Sequence, residues 1–281
     1  MNLRTLIDAR QLNALAAAGG VLIVDCRFDL SEPSRGQRAY IAGHIPGAVF
    51  ADLNRDLSDL TKTGVGRHPL PDADAFSKVL SSWGWNREHA VVAYDDASGS
   101  LAAARLWWML RLAGYRNAAV LDGGLAAWTS SGYALTSETA RRPPGKIGVR
   151  FDRDQIIFTD DLLRMRNQVL LLDARAGARF RGEVEPIDPV AGHVPGALNR
   201  PFSDNLDNGR FKPAGVLRDE FESLLGGVAA DRVVHMCGSG VTACLNLLAM
   251  EHAGLSGSRI YAPSWSGWIS DPAHPTATGP A

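Results

Sequence analysis

One ordered set of motifs occurs twice in this chain, and the repetition limits its fold more than any other feature. Leu22-Ile23-Val24-Asp25-Cys26-Arg27 is answered by Leu170-Leu171-Leu172-Asp173-Ala174-Arg175, and Gly43-His44-Ile45-Pro46-Gly47-Ala48 by Gly192-His193-Val194-Pro195-Gly196-Ala197. Val91-Val92-Ala93-Tyr94-Asp95 then matches Val233-Val234-His235-Met236-Cys237, and Leu121-Asp122-Gly123-Gly124-Leu125-Ala126-Ala127-Trp128 matches Tyr261-Ala262-Pro263-Ser264-Trp265-Ser266-Gly267-Trp268. The period is far longer than that of a solenoid, so it marks a duplicated domain. In each copy, short apolar runs that end in polar residues predict buried parallel strands. They alternate with helical patterns from Ser100 to Gly114 and from Thr242 to Gly254. The expected class is α/β, with two tandem domains, each a largely parallel sheet flanked by helices. The first domain is placed at 1–135 and the second at 153–281. The link between them is 136–152, where Thr136 to Lys146 is polar and holds Arg141-Arg142-Pro143-Pro144-Gly145.

Composition narrows the function classes. With 29 basic and 30 acidic side chains nearly cancelling, nothing points to a nucleic-acid or membrane-surface partner. Three cysteines, Cys26, Cys237 and Cys244, are too few for a disulfide framework and fit a reducing compartment. No paired Cys/His spacing suggests a metal site. The stretch Met1 to Asp8 lacks a signal-peptide layout, and no run approaches the ~20 apolar residues of a membrane span. A soluble cytoplasmic protein is expected.

Cys237 is the candidate nucleophile. It stands where a strand ends and a glycine-punctuated loop, Gly238-Ser239-Gly240-Val241-Thr242, opens into a helix. Backbone N–H groups of such a loop form a cradle that favours negative charge. The two glycines let the backbone approach a bound anion closely. Cysteine phosphatases place an arginine six positions after the nucleophile; here that residue is Ala243, which excludes their chemistry. The other chemistry suited to the cradle is sulfur transfer, in which the cysteine becomes a persulfide and the backbone N–H groups of Gly238 to Thr242 stabilise the outer sulfur. In the first copy Asp95 replaces the cysteine, followed by Asp96. Two carboxylates would repel an anionic substrate, so that domain is expected to be inert.

The loop Cys237-Gly238-Ser239-Gly240-Val241-Thr242-Ala243 resembles that of 3-mercaptopyruvate sulfurtransferases within the two-domain rhodanese family. The resemblance covers nearly the whole chain, apart from the first few residues and the Pro-, Ala- and Thr-rich tail after Ser270. It implies two rhodanese-like domains with the active cysteine in the second. The substrates implied are a small anionic sulfur donor and a cyanide, thiol or protein-thiol acceptor, with no cofactor. Thiosulfate-using members carry basic residues after the cysteine, where this chain has Gly238 and Ser239. Thiosulfate transfer, or a persulfide carrier serving a partner protein, are the alternatives.

The resemblance also implies roles for individual residues. Arg179 matches the position of an arginine that binds the anionic substrate, and a guanidinium fork suits a carboxylate. A second substrate arginine, usual before the second His-x-Pro-Gly turn, has no counterpart between Glu185 and His193; Arg181 is the substitute on offer. Ser239 and His68 match a proton relay whose aspartate falls at Asn54, with Asp52 and Asp56 nearby. The Asp25/Arg27 and Asp173/Arg175 pairs, and His44 and His193, occur in both copies, so structural roles are expected. Cys26 and Cys244 are expected to pack.

Overall fold

The computed structural model describes residues 3–140, 142–165 and 167–280; Arg141, within the stretch read as a linker, lies outside them. The chain divides into two compact units, Met1–Asp59 with Leu70–Asp152, and Leu60–Pro69 with Arg153–Ala281.

In the first unit, β1 (Leu6–Ile7), β2 (Val21–Asp25), β3 (Val49–Phe50), β4 (Ala90–Tyr94) and β5 (Ala118–Leu121) pair in the order β1-β5-β4-β2-β3. Every pairing is parallel. The helices are α1 (Ala9–Ala17), α2 (Arg35–Ala42), α3 (Ala73–Ser82), α4 (Ala102–Leu112) and α5 (Gly124–Ser130). β2 and β4 are buried at every residue, which explains their unbroken apolar runs. Helix α4 is likewise buried along its whole length, so it is apolar around most of its circumference.

The second unit repeats this plan. β6 (Ile156–Ile157), β7 (Leu170–Asp173), β8 (Leu198–Asn199), β11 (Val233–Met236) and β12 (Arg259–Tyr261) pair in the order β6-β12-β11-β7-β8, again all parallel. A separate antiparallel pair joins β9 (Leu206–Asp207) to β10 (Arg210–Phe211). The helices are α6 (Thr159–Met165), α7 (Gly177–Phe180), α8 (Ala214–Leu225), α9 (Ala243–His252) and α10 (Ser264–Trp268). The core gathers Leu162, Leu171, Met236, Tyr261, Trp265 and Trp268 around β11. Register confirms the duplication: Asp25 pairs with Tyr94 as Asp173 pairs with Met236. Asp95 and Cys237 therefore occupy the same place, just past the carboxyl end of the central strand.

Three segments behave differently from what their composition suggests. The tail after Ser270 is not outside the repeat. Ala277 bridges His193 as Thr136 bridges His44, with N–H to O distances of 2.8 and 2.9 Å in each direction at Ala277. Low-complexity composition hid a backbone pairing that needs no particular side chain. The stretch read as a linker is bonded to the first unit: Arg142 Nη2 donates to Val21 O (3.0 Å), Gly145 N to Ser81 O (2.8 Å) and Val149 N to Ser77 Oγ (2.9 Å). Finally, Leu60–Pro69 belongs to the second unit although it lies between elements of the first copy. Arg67 N donates to Ser266 Oγ (2.9 Å), and Ser270 Oγ donates to Gly64 O (3.1 Å). Gly66 has φ +99°, and a Cβ there would lie 2.5 Å from Pro263 O, so only glycine permits this approach.

Candidate active site

Cys237 follows β11 directly and is buried. Its Sγ accepts a hydrogen bond from Gly240 N at 3.2 Å, so the loop does curl its backbone around the sulfur. Gly240 has φ +78°, the turn that lets the N–H point back. The cysteine's own backbone is fastened on both sides. Its N–H donates to Ser264 Oγ (3.1 Å), which in turn donates to Tyr261 O (3.0 Å), and its carbonyl accepts from Trp265 N (2.9 Å). Ser264 adopts φ +53° at the repeat position where the first unit has Gly124 at +57°. A serine in the left-handed region costs roughly 1 kcal/mol; its hydroxyl supplies a bond to Cys237 that glycine cannot make.

The same loop in the first unit is already full. Asp95 Oδ1 accepts from Ala97 N (2.9 Å) and Gly99 N (2.7 Å), and Oδ2 from Leu101 N (3.1 Å) and Ala103 N (3.4 Å). The expectation there was repulsion of an anion; in the structure the carboxylate itself takes up the backbone donors. Burial pushes the Asp95 carboxyl up to about 6, a rise limited by those four N–H groups. Asp96 is exposed and faces Arg35 at 3.5 Å.

Ser239 and His68 meet. His68 Nδ1 lies 2.8 Å from Ser239 Oγ, both residues buried. The candidate aspartates close a turn of their own: Asp52 accepts from Asn54 N and Arg55 N (2.8 and 3.1 Å), and Asp56 pairs with Arg55 (2.8 Å).

Arg179, on α7, grips Glu185 through Nε and Nη2 and donates from Nη2 to Asp188 Oδ2 (3.0 Å). Burial is the largest single influence on the Glu185 carboxyl and raises it, but the Arg179 hydrogen bonds and charge and the Asp188 and Ile187 N–H groups together outweigh it and hold the carboxyl below its ordinary range. Arg67, which motif reading passed over, donates from Nη1 to Asp188 Oδ1. A side chain built on Gly238 would start 3.1 Å from Arg67 Nη2, 3.8 Å from Arg179 Nη1 and 3.8 Å from Asp188 Oδ2. Arg181, the substitute suggested above, instead pairs with Glu183 at the surface (2.7 Å). The missed group sits one residue before His68 in a segment with no counterpart in the other copy, and that absence was the available signal.

The residues shared by both copies serve the frame. Asp25/Arg27 and Asp173/Arg175 form matching buried pairs, and each arginine also donates to a carbonyl of the following turn, Gly43 O and Gly192 O, at 2.7 Å. His44 and His193 are buried, bonded through Nδ1 to Tyr40 O (2.7 Å) and Phe180 O (2.8 Å), and stacked on those rings. Cys244 donates to Gly240 O (3.4 Å), and Cys26 to Val24 O (3.8 Å). Burial pushes the Cys26 thiol well up. Among the described residues no cluster of His, Cys, Asp or Glu could hold a metal ion. Nor is any helix among them long and apolar enough to cross a membrane.

The model of the Rhodanese-like domain matches residues 8–131 and again 159–271. The chain belongs to the rhodanese family. Among related rhodaneses, "Probable 3-mercaptopyruvate sulfurtransferase" of Pseudomonas aeruginosa is 49% identical over 284 residues, covering 99% of this chain and 100% of that protein. A Mycobacterium tuberculosis protein named for thiosulfate sulfurtransfer is 41% identical, covering 99% and 98%. The crystal structure of the Escherichia coli 3-mercaptopyruvate enzyme superposes with TM-score 0.80 at 31% identity, covering 94% of this chain and 100% of that one. The second match of the family model ends at 271, so the tail after Ser270 lies outside it, as expected, although the alignment with the Pseudomonas aeruginosa protein covers 99% of the chain.

Proposed function

We propose that this rhodanese moves a sulfur atom from 3-mercaptopyruvate, through a persulfide on Cys237, to a thiophilic acceptor such as cyanide, a small thiol or a protein thiol. The observation that carries the reading is the Cys237 sulfur held by the Gly240 N–H at 3.2 Å, with two guanidinium groups beside the neighbouring Gly238. The Cys237 thiolate attacks the donor sulfur. An S–S bond forms, the C–S bond breaks, and its electron pair passes to carbon as the enolate of pyruvate, which then takes a proton. The acceptor attacks the outer sulfur, the S–S bond breaks, and the thiolate returns. Backbone N–H groups of Gly238 to Thr242 stabilise the anionic sulfur in both steps. Arg179 binds the donor's carboxylate, and the Ser239–His68 pair, 2.8 Å apart, conducts the proton. The first unit, its cradle filled by Asp95, takes no direct part.

Thiosulfate transfer is the second reading, favoured by the Mycobacterium tuberculosis relative at 41% identity. Steady-state assays with each donor against cyanide separate the two. A higher kcat/KM for 3-mercaptopyruvate is expected, and a thiosulfate preference would overturn the choice of donor. Mass spectrometry of the intact protein after donor treatment should show one added sulfur, absent from Cys237→Ser. That variant should retain its fold and lose turnover. Sulfur loading that survives in it would refute the mechanism.

A further inference from the structure

We infer that Asp188 is a specificity-determining residue, a buried carboxylate that screens the cysteine loop by charge and favours a singly charged donor over a doubly charged one. The inference deepens the proposed function and rests on its reading of Cys237 as the nucleophile that meets an anionic donor. Gly238 and Ser239 bring no charge to the loop, so the charge a donor meets is set by what packs beside them. Arg67 and Arg179 do so. Two guanidinium groups by themselves would draw a compact dianion most strongly, because Coulomb attraction grows in proportion to the ligand's charge. The fold does not leave them by themselves.

The place of one carboxylate carries the argument. Arg67 Nη1 donates to Asp188 Oδ1, and Arg179 Nη2 donates to Asp188 Oδ2 (3.0 Å). From the point where a Cβ on Gly238 would start, Asp188 Oδ2 is 3.8 Å away, as near as Arg179 Nη1 at 3.8 Å, while Arg67 Nη2 is at 3.1 Å. A donor seated on the loop therefore meets a carboxylate as close as one of the arginines. The Asp188 side chain is only 3% exposed, so solvent and salt screen its charge little. Nor is it free to swing away, since the two arginines hold its oxygens and its own N–H donates to Glu185 Oε1 (3.0 Å). Glu185 comes no nearer to Gly238; it is turned onto Arg179 (2.6 Å) and Arg175 (3.6 Å). Two buried acids thus match Arg67 and Arg179, and the four side chains sum to no net charge. Thiosulfate carries two charges at neutral pH and 3-mercaptopyruvate one. The repulsion from Asp188 is therefore twice as large, as a free energy, for thiosulfate. Asp188 pushes the choice of donor the same way as the uncharged Gly238 and Ser239.

The test uses the full chain at pH 7 and first reads alkylation of Cys237 by iodoacetate and by iodoacetamide, reagents of similar size that differ by one charge. Their rate ratio cancels any change in the thiolate fraction. In Asp188→Asn the iodoacetate-to-iodoacetamide ratio should rise about threefold, and in Asp188→Glu, which keeps the charge, it should stay within about 1.5-fold of the unmodified chain. With cyanide as acceptor, Asp188→Asn should raise kcat/KM about threefold for 3-mercaptopyruvate and about tenfold for thiosulfate, the doubled effect of a doubled charge. Glu185→Gln should move the alkylation ratio in the same sense by no larger a factor, which supplies the comparison if Asp188→Asn does not fold. A merely structural Asp188 would, when replaced, loosen both arginines and lower both alkylation rates and both kcat/KM values without regard to charge, which overturns the inference. So would equal gains for the two donors. If the unmodified chain turned over neither donor, the donor reading would fall by itself, and the alkylation ratio would still judge Asp188. If Cys237 resisted both reagents, the nucleophile reading would fall. Asp188 would then be judged by calorimetric binding of sulfate and pyruvate, where equal affinities in Asp188→Asn and the unmodified chain refute it.

Discussion

At Ser239 and His68, 2.8 Å apart, the direction of the shared hydrogen bond decides what the pair can do. With the serine donating to Nδ1, its oxygen is a better acceptor for a proton near Cys237; with the imidazole donating, the serine hydroxyl is free to give one. Both directions need both residues, so the two should act as one unit. Ser239→Ala and His68→Asn are each expected to lower kcat by about tenfold to a hundredfold, and the double variant to be no worse than about threefold below the poorer single. Full multiplication of the two losses in a steady-state comparison would sink the relay. Cys237, Ser239 and Arg179 could be named as candidates from sequence because each belongs to a contiguous motif. Arg67, Glu185 and Asp188 were not, because their chemistry depends on contacts such as Arg67 with Asp188, 121 positions apart. Arg181, read as the substitute for a second arginine, pairs with Glu183 instead, because a sequence shows a charge but not the carboxylates that orient it.

Among elements, the segment Leu60–Pro69 stands apart from the repeat. The two parallel sheets follow from short apolar runs that alternate with helical patterns in one recurring order, which is why the fold class was readable in advance; the strand order within each sheet was not. This segment has no second copy, so nothing in the repeat predicts that it joins the second unit. What holds it is local and steric. Gly66 at φ +99° sits against Pro263 O, and a Cβ on Gly267 would meet Gly66 N at 3.1 Å. Two glycines thus face each other, one in the segment and one on α10. Gly66→Ala forces the segment away from Pro263 and shifts its next two residues, Arg67 and His68. A displacement on the order of 1 Å at a positioning residue can cost about a hundredfold in rate, whereas a strained surface turn costs only ~1–3 kcal/mol in stability. The expected outcome is a fall in kcat/KM of roughly tenfold or more, with a melting temperature lowered by only about 2–8 °C. Normal kcat/KM in Gly66→Ala would mean that the segment does not set the position of Arg67 and His68.

For the whole molecule, the two copies carry buried ionisable groups that answer acid with opposite sign. Burial pushes the His235 imidazole, on β11, down to about 3, leaving it neutral beside Ser258 Oγ (3.1 Å). An unfolded histidine titrates near ~6.5. Below that pH the unfolded chain binds a proton that the folded chain refuses, so this contribution to stability is complete above about 6.5 and is lost as pH falls toward 3. Asp95 runs the other way. Its folded carboxyl, raised to about 6, takes a proton before its unfolded counterpart near ~3.9 does. The penalty of its buried charge, complete above about 6, is therefore relieved as pH falls through about 6 toward 4. Between pH 7 and 5 the two amount to about 2 kcal/mol lost at His235 and about 1 kcal/mol regained at Asp95. Urea unfolding at both pH values checks the signs. His235→Gln should lose about 2 kcal/mol less on acidification than the unmodified chain, and Asp95→Asn about 1 kcal/mol more. Each comparison is a difference between two pH values within one variant, so any constant cost of the substitution cancels. Equal pH dependence in all three proteins, or both variants shifting in one direction, would mean that burial does not set these two protons as argued.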